Sequence, residues 1–146
     1  MYKKSDDLSP RLSALTVISK YKDEKTILLA TTGKTGRELY EIEDTIHNLY
    51  MVGSLGCIGS LGLGLALTKK DSKVIVIDAD GSMLMHMGSL TTTANYNPSN
   101  MLHILIDNNS HDSTGGQSTA SHNVDFVSVA ASCGYENSIY IHNVNE

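Results

Sequence analysis

The chain has 146 residues, 40% hydrophobic and 18% charged, enough apolar material for one domain with a core of its own. A formal net charge of −5, with no basic run longer than Lys3-Lys4 or Lys69-Lys70, argues against a nucleic-acid partner, which would need a basic face. MYKKSDDLSP sets no apolar core behind its lysines, so it is not a secretory signal and a cytoplasmic protein is expected.

Leu8, Leu12, Leu15 and Ile18 recur at helical spacing behind the cap and first-turn pair Ser9-Pro10, predicting a helix over about 9–22. TILLAT (26–31) reads as a short strand, TGKTGREL (32–39) as a loop with one turn of helix, and LYMV (49–52) as a second strand. KVIVID (73–78) is the clearest strand and MLHILID (101–107) the next. Between them GSMLMHMGSLTTTANY (81–96) is weakly helical and stops at Asn97-Pro98. FVSVAASCG (126–134) reads as a helix ended by Gly134, and SIYIHNV (138–144) as a last strand. Strands alternating with helices predict an α/β fold, a mostly parallel sheet with helices on both faces. Nothing follows the last strand to cover it, so the unit reads as truncated at its C-terminus.

The uncharged run from Asn48 to Thr68 is long enough to raise a membrane span. Glycines at 53, 56, 59, 62 and 64 thin its apolar content, and the strands on either side belong to a soluble sheet. LGLGLAL (61–67) is better placed as a buried helix whose glycines allow close packing, and GSLGCIG (53–59) as a turn where backbone approaches a ligand or another strand. Cys57 and Cys133 lie far apart in apolar settings and are expected to be buried free thiols.

Several short motifs fail. TTGKT lacks the glycine that a phosphate-binding loop needs at position 28, where Leu stands. DADG (78–81) has its glycine too early for a calcium loop and no Glu at the twelfth position. Asn108-Asn109-Ser110 is a formal glycosylation sequon, but it closes a strand in a chain without a signal peptide. One pairing holds. Asp80-Gly81 lies just past KVIVID and Asn108 just past MLHILID, and parallel sheets bind ligands outside the carboxyl ends of their strands. A carboxylate and an amide oxygen delivered to one spot suit Mg²⁺, with Gly81, Gly115 and Gly116 letting backbone N–H groups approach phosphate oxygens. The plainer alternative is that Asp80 only caps the helix after it.

DADGSMLMHMG (78–88) followed by IDNNSHDSTGGQ (106–117) resembles the diphosphate-binding half of thiamine-diphosphate enzymes. With TTGKTGREL, MVGSLGCIGSLGLGLAL and VDFVSVAASCGY, it resembles most the phosphonopyruvate decarboxylases and next the sulfopyruvate decarboxylase beta subunits, over roughly 10–137. One departure is Ala79, where the family has the first glycine of Gly-Asp-Gly. The resemblance implies a single diphosphate-binding domain over 1–146, with thiamine diphosphate and Mg²⁺ as cofactors. It implies Asp80, Asn108 and the Ser110 carbonyl as metal ligands, and Gly81 and Ser82 at the diphosphate. Gly53, Leu55 and Gly56 would cradle the pyrimidine, Gly53 through its carbonyl and Leu55 as a wedge under the bent cofactor.

The reaction implied is decarboxylation of a small anionic 2-oxo acid, phosphonopyruvate giving phosphonoacetaldehyde and CO₂. Lys34, Arg37 and His111 are the candidates for the substrate anion; otherwise they are solvated loop charges and a packing residue, and no residue is assigned as catalytic. The family's activating glutamate has no counterpart in context, since Glu24, Glu38, Glu41 and Glu43 match no motif. A pyrimidine-binding domain or subunit is therefore the expected partner, in a homo- or hetero-oligomer. The rival reading is a non-catalytic thiamine-diphosphate-binding remnant.

Overall fold

In the computed structural model, which describes residues 10–143, β1 (Thr26–Ala30) and β3 (Lys73–Ala79) are apolar on both faces. Successive strand residues point to opposite sides, so these two must be covered twice. β2 (Asn48–Tyr50) and β4 (Met101–Ile106) flank them in one parallel sheet of order β2-β1-β3-β4. Leu28, Ala30, Ile75 and Ile77 face Leu15 of α1 (Pro10–Lys20) and Leu39 of α2 (Lys34–Ile42). Leu29, Val74 and Val76 face Ile58 and Ala66 of α3 (Ile58–Thr68). α5 (Ser89–Tyr96) packs on α3, and α6 (Phe126–Cys133) packs on α5.

The uncharged run resolves into β2, a turn and α3, and among the described residues no helix is long and apolar enough to cross a membrane. A Cβ on Gly62 would run into Val76 Cγ2, so that glycine lets α3 lie tight on β3; Gly64 faces open space. After β2 the chain crosses β1 to reach β3, making the β1/β3 boundary the point where strand order reverses. That is where α/β sheets open a binding crevice.

Four expectations are corrected. The segment 32–39 is not a loop with one helical turn: it enters a nine-residue helix, α2, anchored by Leu39 in the core, with Thr35 and Gly36 also buried. Gly36 is close-packed there, its Cβ position 3.0 Å from the Thr31 carbonyl, so a residue of low helix propensity is retained by packing. The weakly helical segment 81–96 is two helices, α4 (Asp80–Met85) and α5. Residues 138–143 form no strand; Ile139, Tyr140 and Ile141 are exposed, and β-prone side chains need a neighbour strand and a covered face. Val144, like Leu8 and Ser9, lies outside the described residues. Both cysteines are half-buried rather than buried, Cys57 because it sits at the start of α3 with Sγ 3.7 Å from His86 Nδ1.

Candidate cofactor site

β3 and β4 pair directly, Asp78 opposite Leu105 and Ala79 opposite Ile106, so the residues after them emerge side by side. Asp80 opens α4 and is 1% exposed. Asn108 follows β4 and is exposed, its Oδ1 accepting from the Ser110 N–H at 3.2 Å in a turn. Ala79, in place of the family's glycine, has φ −135°, extended backbone that any residue adopts. The backbone at this turn therefore does not require glycine.

HDSTGGQ is a β-hairpin. β5 (Ser110–His111) pairs antiparallel with β6 (Gln117–Ser118), and Gly116 at φ +75° turns the chain between them. The hairpin lays the His111 ring on Gly81: a Cβ there would come 2.6 Å from the ring. Gly33, at φ +101°, meets the hairpin tip in the same way through Ser113.

These pieces enclose one cleft of about 60 Å³ over the carboxyl ends of β1, β3 and β4. Asp80, Gly81, Ser82 and Asn108 line it, as do Ser110, His111, Lys34 and Leu55. Three expected residues are not on its wall. Arg37 is exposed elsewhere on α2, Gly53 is exposed at φ +65° with no atom within 4 Å of a Cβ, and Gly56 is buried behind the cleft. Gly56 nevertheless belongs to the same framework: its N–H donates to Ser82 Oγ at 3.1 Å, and Thr31 Oγ1 donates to the same oxygen at 3.0 Å.

Sequence reasoning missed Arg11, which also lines the cleft. Its Nε and Nη2 donate to Glu38 at 2.8 Å each, and Nη1 donates to Asp112 at 3.1 Å. Lys34 Nζ lies 3.4 Å from the same Asp112 oxygen, with the Lys34 side chain 45% exposed. The Arg11 guanidinium, and after it Lys34, hold the Asp112 carboxyl below the usual carboxylate range. Arg11 is thus neutralised by acids and Lys34 is the more available cation. No local signal marked Arg11, whose partner Asp112 is 101 residues away.

Donor chemistry tests whether Mg²⁺ and a diphosphate suit this cleft. Among the described residues no three His, Cys, Asp or Glu side chains gather to hold a metal ion by themselves. One carboxylate with an amide oxygen and a main-chain carbonyl is instead the sparse, all-oxygen set that Mg²⁺ takes when waters and phosphate oxygens complete its shell. The residues fit that group. At about 60 Å³ the cleft is far smaller than the roughly 300–1,000 Å³ of pockets that enclose a whole ligand of drug size. Among the described residues no glutamate lines it: Glu38 is bound to Arg11, Glu43 to Lys22, and Glu24 and Glu41 are exposed.

Comparison with known proteins agrees with this architecture. Phosphonopyruvate decarboxylase of Streptomyces hygroscopicus is 46% identical over 131 residues, 90% of this chain and 32% of that protein. Sulfopyruvate decarboxylase subunit beta of Methanocaldococcus jannaschii is 42% identical over 127 residues, 86% of this chain and 67% of the subunit. The chain spans about a third of the length of the phosphonopyruvate decarboxylases it matches. Among solved structures, benzoylformate decarboxylase from Polynucleobacter necessarius superposes with TM-score 0.70 at 14% identity, over 99% of this chain and 30% of that one. A 2-oxoglutarate:ferredoxin oxidoreductase from Magnetococcus marinus gives 0.62 at 19% identity, over 81% of this chain and 42% of its own; both likenesses concern the fold. The profile of the thiamine pyrophosphate enzyme C-terminal TPP binding domain matches residues 31–146, and the chain belongs to that family.

Proposed function

We propose that this chain is the diphosphate- and Mg²⁺-binding half of a thiamine-diphosphate-dependent decarboxylase that converts phosphonopyruvate to phosphonoacetaldehyde and CO₂. The observation that carries the reading is the placement of Asp80 and Asn108 at the ends of paired parallel strands, on one cleft with Ser110. Asp80, Asn108 and the Ser110 carbonyl would hold Mg²⁺, and Gly81 and Ser82 would face the diphosphate. When bound, thiamine diphosphate supplies the electron sink for loss of CO₂. Leu55 would support the cofactor from below, and the Gly53 carbonyl would accept from its pyrimidine amino group. Lys34 and His111, on the cleft wall, would receive the substrate's second anionic group; Arg37 would need to reach in from outside. A Lys34→Ala change in the assembled enzyme should raise KM for phosphonopyruvate about tenfold, the equivalent of one lost ionic hydrogen bond, with a smaller change in kcat.

The activating glutamate and the rest of the pyrimidine pocket would come from a partner domain or subunit. The small cleft, with no glutamate on its wall among the described residues, supports that requirement. Activity should appear only when this chain is combined with a pyrimidine-binding half, and turnover by the chain alone would refute the requirement. The sulfopyruvate decarboxylase beta subunits, which this chain covers over 67% of the Methanocaldococcus jannaschii subunit, favour sulfopyruvate as the second substrate reading. Competition between the two substrates on the assembled enzyme separates them; equal rates would refute a preference for phosphonopyruvate. A location in the cytoplasm accords with this reading, and compartment-resolved tagging would test it.

A further inference from the structure

A chain of buried hydroxyl groups joins the two strand ends that carry Asp80 and Asn108. Thr119 Oγ1 donates to Asp80 Oδ2 at 2.5 Å and lies 2.9 Å from Ser121 Oγ. Ser121 Oγ in turn reaches Asp107 Oδ1 at 2.9 Å and Asn109 Oδ1 at 3.0 Å, the residues on either side of Asn108. Thr119 is 3% exposed and Ser121 2%, so water competes little for these bonds. The Thr119 N–H also donates to the Asn109 carbonyl at 3.1 Å, tying the same two segments through backbone. Asn109 stands at φ +55°, a left-handed conformation that Asn adopts more readily than other non-glycine residues.

We infer that Thr119 and Ser121 are positioning residues that fix the two ligand-bearing strand ends in one geometry for Mg²⁺. The inference rests on the metal reading above. A carboxylate oxygen accepts hydrogen bonds, so the Thr119 proton given to Asp80 Oδ2 orients that carboxylate and leaves its second oxygen for the cation. Ser121 serves the turn at Asn108 with its single proton, which goes to Asp107 Oδ1 or to Asn109 Oδ1, the acceptors on either side of Asn108. Groups that orient metal ligands typically change metal affinity by about 10–100-fold when removed.

The test is Mn²⁺ binding to the full chain in the presence of thiamine diphosphate, read by loss of the free-ion electron paramagnetic resonance signal. Mn²⁺ accepts the same oxygen donors as Mg²⁺. Thr119→Val should weaken Mn²⁺ binding about 10–100-fold, and Thr119→Ser, which keeps the hydroxyl, should restore most of it. Should the valine variant fail to fold by circular dichroism, Ser121→Ala carries the test, with weaker Mn²⁺ binding expected. A lower melting temperature without ligand, at unchanged Mn²⁺ affinity, would mean a merely structural role and overturn the inference. Equal weakening by Val and Ser at position 119 would also overturn it, because the hydroxyl would then be irrelevant. No Mn²⁺ binding by the wild-type chain would overturn the metal reading itself and the inference with it.

Discussion

The strand ends around Asp80 and the turn at Gly53–Leu55 would meet opposite ends of one cofactor, yet they are built in opposite ways. Asp80 is buried, held by Thr119 and tied through Ser121 to the end of β4. The turn carries Val52 at 89% exposure, and positive φ at Gly53, Ser54 and Gly56, with no atom within 4 Å of a Cβ at Gly53. One region is braced by this chain's own side chains; the other presents strained backbone and an apolar side chain to the outside. On the proposed function, diphosphate recognition would rest on this chain's own braced framework, whereas pyrimidine recognition would need a second surface.

The largest effect that could break this comparison is at Asp80. Asp80→Ala should abolish the stabilisation by thiamine diphosphate with Mg²⁺, about 2.7 kcal/mol at a hundredfold excess over Kd. Calorimetric titration or a melting curve reads it, and undiminished binding would place the metal elsewhere. Next come two glycines, one from each region. Gly81→Ala should cost about 1–3 kcal/mol in denaturant unfolding, because the new methyl must displace the His111 ring. Gly53→Ala meets no atom and should cost about 1 kcal/mol, from left-handed backbone alone. Equal costs at the two positions would erase the distinction between a braced and an open region.

The smallest effect is the pH dependence of Asp112. Its carboxyl is held below its ordinary value by Arg11 and then Lys34, so the stability it contributes is present above about pH 3.9 and lost as pH falls through its lower folded value. Asp112→Asn should flatten the acid limb of a melting-temperature profile slightly. An unchanged profile would show that the ion pair with Arg11 contributes nothing to the fold.

Much of this was legible in the sequence. KVIVID announced a buried parallel strand because both its faces are apolar, MLHILID gave the strand beside it at the sheet edge, and the polar residues just beyond the two marked the crevice. What stayed hidden depends on distance along the chain. Thr119 reaches Asp80 across 39 residues and Arg11 reaches Asp112 across 101, and no local pattern encodes either meeting. α2 was obscured for a different reason: Gly36 lowers helix propensity locally, while its value lies in close contact with the Thr31 carbonyl, a tertiary fact. The strand expected at 138–144 shows the reverse error over its described residues, since β-prone residues such as Ile139 and Tyr140 signal a strand only where a sheet edge and a covering layer receive them.

Metal-dependent diphosphate binding is read most directly from the melting temperature of the purified chain with thiamine diphosphate alone, Mg²⁺ alone, and both together. A rise is expected only with both, because Asp80 and Asn108 would grip the diphosphate through the metal. A rise of the same size with thiamine diphosphate and no divalent cation would contradict that expectation.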